Sequence, residues 1–119
     1  MNTEDRRVTG RVIPRGSDEE MVSIEFAGGQ YSSKLLDLSN GGALVYVLSD
    51  SHDTLTKGAA CTLSLYFQGN VFAITATIAR SSGRLLAFQF GSIAPETLKH
   101  LQAKLDRMEA ERKRLQSLA

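Results

Sequence analysis

Tryptophan is absent from this sequence of 119 residues, and proline, histidine and cysteine are scarce, at two, two and one. A single cysteine, Cys61, excludes an intramolecular disulfide, and its strand-like flanks predict a buried, inert thiol. His52 and His100 stand apart from any second His, Cys or carboxylate at metal-ligand spacing, so neither a metal nor a resident cofactor is expected. Phosphate-binding Gly-Lys loops, nucleophile elbows and paired-carboxylate motifs are also missing, and the chain is not expected to be an enzyme. Charge of one sign is lacking too. The formal net charge is +1, so an anion site has to come from local clustering, not from a global field. No apolar run approaches the roughly 20 residues of a membrane span. Met1 is followed by Asn, Thr, Glu and Asp instead of the basic and apolar regions of a leader. A cytoplasmic protein is the expectation.

Hydrophobic content of 42% and charged content of 23% belong to an ordinary globular protein, and the length suits a single domain over residues 1–119. Residues 1–20 are polar, with Arg6, Arg7, Arg11 and Arg15 set among Thr, Gly and Pro, and Pro14 and Gly16 interrupt any regular element. They predict a flexible arginine arm. From Met21 the pattern changes to period two: Val22, Ile24 and Phe26 alternate with Ser23 and Glu25, as in a half-buried strand. Gly28-Gly29 predicts a turn into a second strand over Tyr31–Leu38, and Ser39 to Gly42 a turn into a third over Ala43–Leu48. Ser49 to Gly58 is polar and aperiodic and reads as a loop. Cys61–Phe67, a turn at Gly69-Asn70, Val71–Arg80, a turn at Ser81 to Gly83, and Leu85–Phe90 complete six strands. Short strands with Gly-rich turns predict an all-β domain, a six-stranded antiparallel, Greek-key-like β-barrel over residues 21–91. A helix follows over residues 95–117, opened by Pro95 and Glu96. Leu98, Leu101, Leu105 and Met108 form one apolar stripe, which Arg112 interrupts before Leu115. Its first half is expected to close one end of the barrel and its second half to project into water or onto a partner. A monomer or weak dimer is expected, because the stripe is too short for a coiled coil.

Two clusters rise above this background. Arg6-Arg7-Val8-Thr9-Gly10-Arg11 contains an Arg-x-x-x-Arg, and guanidinium groups suit both phosphate oxygens and the O6/N7 edge of guanine. By itself such a run is equally a solubilising arm. Asp37-Leu38-Ser39-Asn40-Gly41-Gly42 is an Asp-x-Ser-x-x-Gly between two strands. Strand geometry sets Asp37 and Ser39 on one side and Leu38 on the other, in the core. A carboxylate there suits the N1 and N2 donors of guanine, and Gly42 is read as letting a ligand approach the backbone. By itself this is equally an Asx/Ser turn.

In this order and spacing the two clusters resemble the PilZ family, whose pattern is Arg-x-x-x-Arg, a strand-bearing spacer, then Asp/Asn-x-Ser-x-x-Gly on a barrel. Arg7, Arg11, Asp37, Ser39 and Gly42 fill the five motif positions. Arg11 and Arg15 repeat the spacing, but Val12-Ile13 after Arg11 favours the Arg7–Arg11 register. The resemblance implies binding of cyclic di-GMP, a bacterial second messenger, with the arm wrapping over the ligand and the turn reading a guanine. Relatives with an arginine ahead of the pair bind two intercalated ligands. Arg6 stands there, which implies a ligand dimer. Gly41, Arg15 and Arg80 complete the candidate ligand-binding set. Where relatives often carry Gly in the last strand, this chain has Ala87. The implied role is a stand-alone receptor that acts through a protein partner in motility, biofilm or exopolysaccharide control.

Two other readings compete. A PilZ-like protein-interaction module without nucleotide, as in pilus assembly, fits the fold but usually lacks the arginines or the turn motif. A barrel for single-stranded nucleic acid fits the basic arm but wants exposed aromatics for stacking, and most Phe residues here fall at inward strand positions. Nucleic acid and membrane are therefore not expected partners.

Overall fold

The computed structural model describes residues 19–50 and 52–118. The arm prediction falls almost wholly outside them, and with it Arg6, Arg7, Arg11 and Arg15. Six strands are present: β1 (Met21–Phe26), β2 (Gly29–Leu38), β3 (Gly42–Val47), β4 (Ala60–Phe67), β5 (Asn70–Ser82) and β6 (Leu85–Phe90). A single helix, α1 (Pro95–Leu118), follows. The strands close into an antiparallel barrel in the order β1-β2-β3-β6-β5-β4, with β4 returning to pair with β1. The neighbours β4-β1-β2-β3 form a Greek key, whose long connection is the segment between β3 and β4.

Period-two alternation is what makes these segments strands. Val22 and Ile24 in β1, Leu63 and Leu65 in β4, and Ile74, Ala76 and Ile78 in β5 point inward and are buried, while their neighbours face outward. Fully burying each large aliphatic side chain contributes about 1.5–3 kcal/mol. Three turn predictions shift by about one residue. Phe26 pairs with Gly29 and Phe67 with Asn70, so the two-residue turns are Ala27-Gly28 and Gln68-Gly69. Both residues of each turn have positive φ, 52° and 82° in the first and 51° and 81° in the second. That is the turn whose twist matches the flanking strands. The third hairpin turns at Gly83-Arg84, with Ser82 paired to Leu85.

The crossover from β3 to β4 is irregular, as expected, but it is anchored. Leu55 is buried within it, and the Arg84 guanidinium donates to Val47 O, Ser49 O and the Asp50 carboxylate at 2.9, 3.0 and 3.0 Å.

Helix α1 lies across the barrel end where β2 and β4 finish. Leu101 is fully buried there, His100 stacks on Phe72 with ring centroids 5.7 Å apart, and Leu105 and Met108 pack against the core. The first half of the helix closes this end as its stripe implied. Leu98 does not join it and stays 39% exposed. Beyond Met108 the helix continues with Arg112 to Leu115 exposed, and no described helix is long and apolar enough to cross a membrane.

Candidate ligand-binding site

Strand β2 ends with Leu38 buried and with Asp37 and Ser39 exposed on the opposite side. The turn that follows is held by its own polar atoms. Leu38 N donates to Asp37 Oδ1 at 3.0 Å, and Ser39 N donates to Gly42 O at 2.9 Å. Ser39 Oγ accepts from Gly41 N and Gly42 N at 3.3 and 3.2 Å. This network fixes the direction of the chain as it enters β3, so Ser39 acts first on the backbone of the turn.

Gly42 needs a reason different from the one its motif position suggested. A Cβ on Gly42 would collide with the carbonyl oxygen of Phe88 in β6. Glycine is required there because two strands approach closely, whether or not a ligand does. Gly41 is the residue with open space, since nothing lies within 4 Å of a Cβ placed on it. Its carbonyl accepts from Phe90 N at 2.8 Å.

Two register shifts shape the outer face beside this turn. One falls between Leu35 and Asp37 in the β2–β3 pairing, the other between Ile78 and Arg80 in the β5–β6 pairing. After them Asp37 pairs with Leu44, Leu44 with Ala87, and Ala87 with Arg80. These four residues form one row across β2, β3, β6 and β5. It is three inter-strand steps long, roughly 14 Å at about 4.8 Å each. A carboxylate stands at one end, a guanidinium at the other, and half-buried Leu44 and Ala87 form a low apolar floor between them. The row, with Ser39, Gly41 and Gly42, lines an open depression of about 410 Å³, within the range of small-molecule sites.

The described chain begins outside this depression, in a separate hollow that Glu19 and Glu20 line with Leu35, Leu36, Lys104 and Met108. Leu35 N donates to the carbonyl of Glu20, two residues along β2 from Asp37. Glu19 is fastened two ways, its carboxylate accepting from Gln68 N at 3.2 Å and its carbonyl from Lys104 Nζ at 2.6 Å, and Glu20 beside it pairs with Lys34 at 3.9 Å. Residues 19 and 20 are thus part of the barrel end, not of the arm. At about 3.3–3.6 Å per residue, the four, eight and twelve residues from Glu19 to Arg15, Arg11 and Arg7 have contour lengths of about 13–14, 26–29 and 40–43 Å.

The structure therefore brings together Asp37, Ser39, Gly41, Gly42 and Arg80. Arg6, Arg7, Arg11 and Arg15 lie outside the described residues. Leu44 and Gln89, which also line the depression, were not singled out from sequence. Their signal was available as outward positions next to the motif, but only cross-strand register makes them neighbours. Asn40 was read only as a turn residue. Its side-chain oxygen accepts from Gln102 Nε2 of α1 at 2.6 Å, tying the turn to the helix. Lys104 was not singled out from sequence either, and it is 2% exposed. Burial pushes its pKa down from 10.5, partly offset by Glu19 and Glu20. Cys61 is buried, and burial raises its thiol pKa, as suits an inert thiol. Among the described residues no three His, Cys, Asp or Glu side chains cluster as metal ligands.

A helix-capped six-stranded barrel with an acid-to-arginine row on its outer wall is a small binding domain in architecture. The family model described as PilZ domain matches residues 5–107, and the chain belongs to the PilZ domain family. Among solved structures it is similar to the PilZ domain of CeSA from a cellulose-synthesizing bacterium, with 19% identity and a TM-score of 0.61, covering 75% of this chain and 91% of that one. It is also similar to the PlzA protein of Borreliella burgdorferi in complex with c-di-GMP, with 22% identity and a TM-score of 0.56, covering 84% of this chain but 41% of PlzA. An uncharacterized Legionella protein aligns with 15% identity and a TM-score of 0.50, covering 85% of this chain and 96% of that one. At these identities the likeness concerns the fold. No curated protein matches the chain.

Proposed function

We propose that this chain is a receptor domain for cyclic di-GMP, with no catalytic activity of its own, that acts in the cytoplasm through a protein partner. The observation that carries the reading is the row Asp37–Leu44–Ala87–Arg80, with the Ser39–Gly42 turn at its acidic end. Its support from relatives is membership of the PilZ family and the similarity of fold to a protein solved with c-di-GMP.

In this reading Asp37 accepts the N1 and N2 donors of one guanine, whose flat face rests on Leu44 and Ala87. Ser39 and Asn40 keep the turn in shape, and Gly41 leaves room for the ribose-phosphate edge. Arg7 and Arg11 supply forked donors to the phosphates and to guanine O6 and N7. Arg80 closes the far end of the row. Each charge-assisted hydrogen bond contributes about 1.5–3 kcal/mol, so two or three offset the ordering of about three or four residues, at about 1–2 kcal/mol per residue fixed. Arg6, and Arg15 behind the pair, add positive charge for a second, intercalated ligand. Ordering of the arm then changes the surface offered to the partner.

Calorimetric titration with cyclic di-GMP tests the reading. Binding with two ligands per chain is expected, and Arg7→Ala or Arg11→Ala should abolish most of it while the thermal melt stays where it was. One ligand per chain would remove the dimer from the proposal. No heat of binding at micromolar protein, or arginine variants that bind like the parent, would remove the receptor function itself.

A further inference from the structure

Helix α1 runs on to Leu118, past the barrel end that its first half covers, and its apolar stripe runs on with it. Leu101, Leu105 and Met108 pack against the barrel. Leu115 follows Met108 by seven residues, about two helical turns, and so lies on the same face. Between this overhang and the end of β2 is a hollow of about 340 Å³. Met108, Glu111 and Leu115 wall it on the helix side, and Leu36, Glu19 and Glu20 on the barrel side. Its two leucines are left in water. Leu36 is 47% exposed, and Leu115, at 64%, is the most exposed large apolar residue described. Leu36 is there because of the register shift between Leu35 and Asp37: it is the extra residue of β2, matched to none in β3, and it leaves the strand's alternation. Single exposed leucines are ordinary on a surface. Two that share one hollow with Met108 make an apolar seat.

The seat has a charged rim. Glu19, Glu20 and Glu111 line it, and of the cations beside them Lys104 is bound to two carbonyls below and Arg112 pairs with Glu109 at 3.2 Å. Arg107 pairs with Glu111 at 3.3 Å, and among the described residues Arg114 joins no ion pair. One chain therefore carries an apolar hollow rimmed by carboxylates and, at the tip of α1, a leucine next to an arginine. A surface and its complement on one molecule associate about a two-fold axis, with each contact made twice.

We propose that this hollow is a docking site for a second copy of the chain. The exposed ends of the two α1 helices cross antiparallel, each Leu115 enters the other copy's hollow between Leu36 and Met108, and each Arg114 meets the other copy's Glu19 and Glu20. The contact uses no residue of the Asp37–Arg80 row, so it goes beyond the receptor reading and does not rest on it. It is small beside the roughly 1,200–2,000 Å² of stable complexes. The dimer is accordingly weak, with a dissociation constant on the order of 50 µM.

Sedimentation equilibrium of the full chain without ligand, from about 5 to 500 µM, spans that constant and tests the proposal. A monomer–dimer equilibrium is expected, and Leu36→Ser and Leu115→Ser should each weaken it by about tenfold or more, as loss of a buried leucine implies. Both side chains are exposed in the single chain, so thermal melts at low concentration should not move. Arg114→Glu and Glu20→Arg should each weaken the dimer, and the two together in one chain should restore part of it, because each copy then offers the reversed pair. A spin label at Gln116→Cys in a Cys61→Ala background should report a narrow distance between copies that disappears in excess unlabelled chain. A chain that stays monomeric to 500 µM overturns the proposal, whether the hollow is empty or taken by other residues of the same chain. A dimer indifferent to both leucines, or a double charge reversal no tighter than either single one, overturns it as well.

Discussion

Gly42→Ala separates a structural demand from a ligand demand within one motif. A methyl group at position 42 meets the Phe88 carbonyl at a distance that side-chain carbons do not adopt. Backbone in a closed barrel has little freedom to retreat. Overpacking of this kind costs about 1–3 kcal/mol. The shift also strains neighbouring hydrogen bonds, Ser39 N to Gly42 O at 2.9 Å and Phe90 N to Gly41 O at 2.8 Å, each contributing about 0.5–1.5 kcal/mol. A total loss of about 2–6 kcal/mol follows, a large part of the 5–15 kcal/mol typical of a domain. At about 4–8 °C per kcal/mol for a domain near 100 residues, the melting midpoint should fall by 10 °C or more, on the order of the product of those two figures. Circular dichroism melts without ligand measure it directly. Gly41→Ala is the internal control: its added methyl meets nothing within 4 Å, and it should stay within about 0.5 kcal/mol of the parent, as unconstrained surface changes do. The argument is refuted if Gly42→Ala melts within about 2 °C of the parent, or if the two alanines destabilise alike.

Asp37→Ala should weaken cyclic di-GMP binding by about tenfold to a hundredfold, as loss of one charge-assisted acceptor implies, and should narrow the preference for guanine over adenine in competition with cyclic di-AMP. Raising salt from 50 to 500 mM should lower affinity, since phosphate contacts by arginine are screened. Affinity that is flat with salt would place the arginines away from the phosphates. Lys104 gives a pH signature of stability. Its folded pKa lies below 10.5 because of burial, so between the folded value and 10.5 the unfolded chain binds more protons and stability rises with pH. Denaturant titrations across that alkaline window should show the parent gaining on Lys104→Met, and parallel curves would contradict the burial.

Strand positions were legible because alternation is a local property: Val22 and Ile24, or Leu63 and Leu65, declare their face without reference to the rest of the chain. The Asp-x-Ser-x-x-Gly turn was legible for the same reason, and Leu38 is buried with Asp37 and Ser39 outside as strand geometry requires. Features that depend on pairing between distant segments were not legible. The shifts at Leu35/Asp37 and Ile78/Arg80 decide that a carboxylate and a guanidinium share one row, and nothing within either segment marks them. Position 42 looked like a ligand's glycine until Phe88 was found behind it. Lys104 was invisible because helical periodicity scores a lysine as polar, although its place three residues after Leu101 and four before Met108 put it on the buried stripe. Leu55 was hidden likewise, one apolar residue in a polar loop that the Arg84 clamp folds back onto the core.

Every strand of this barrel has a hydrogen-bonded neighbour on both sides, since β4 returns to β1. The described wall therefore exposes no open ladder of backbone donors and acceptors to which a partner's extended segment can be added. A partner that meets the described wall or the exposed basic turns of α1 has to recognise it by side chains. Recognition of that kind can be rewritten by point substitutions at the surface while the scaffold beneath remains untouched.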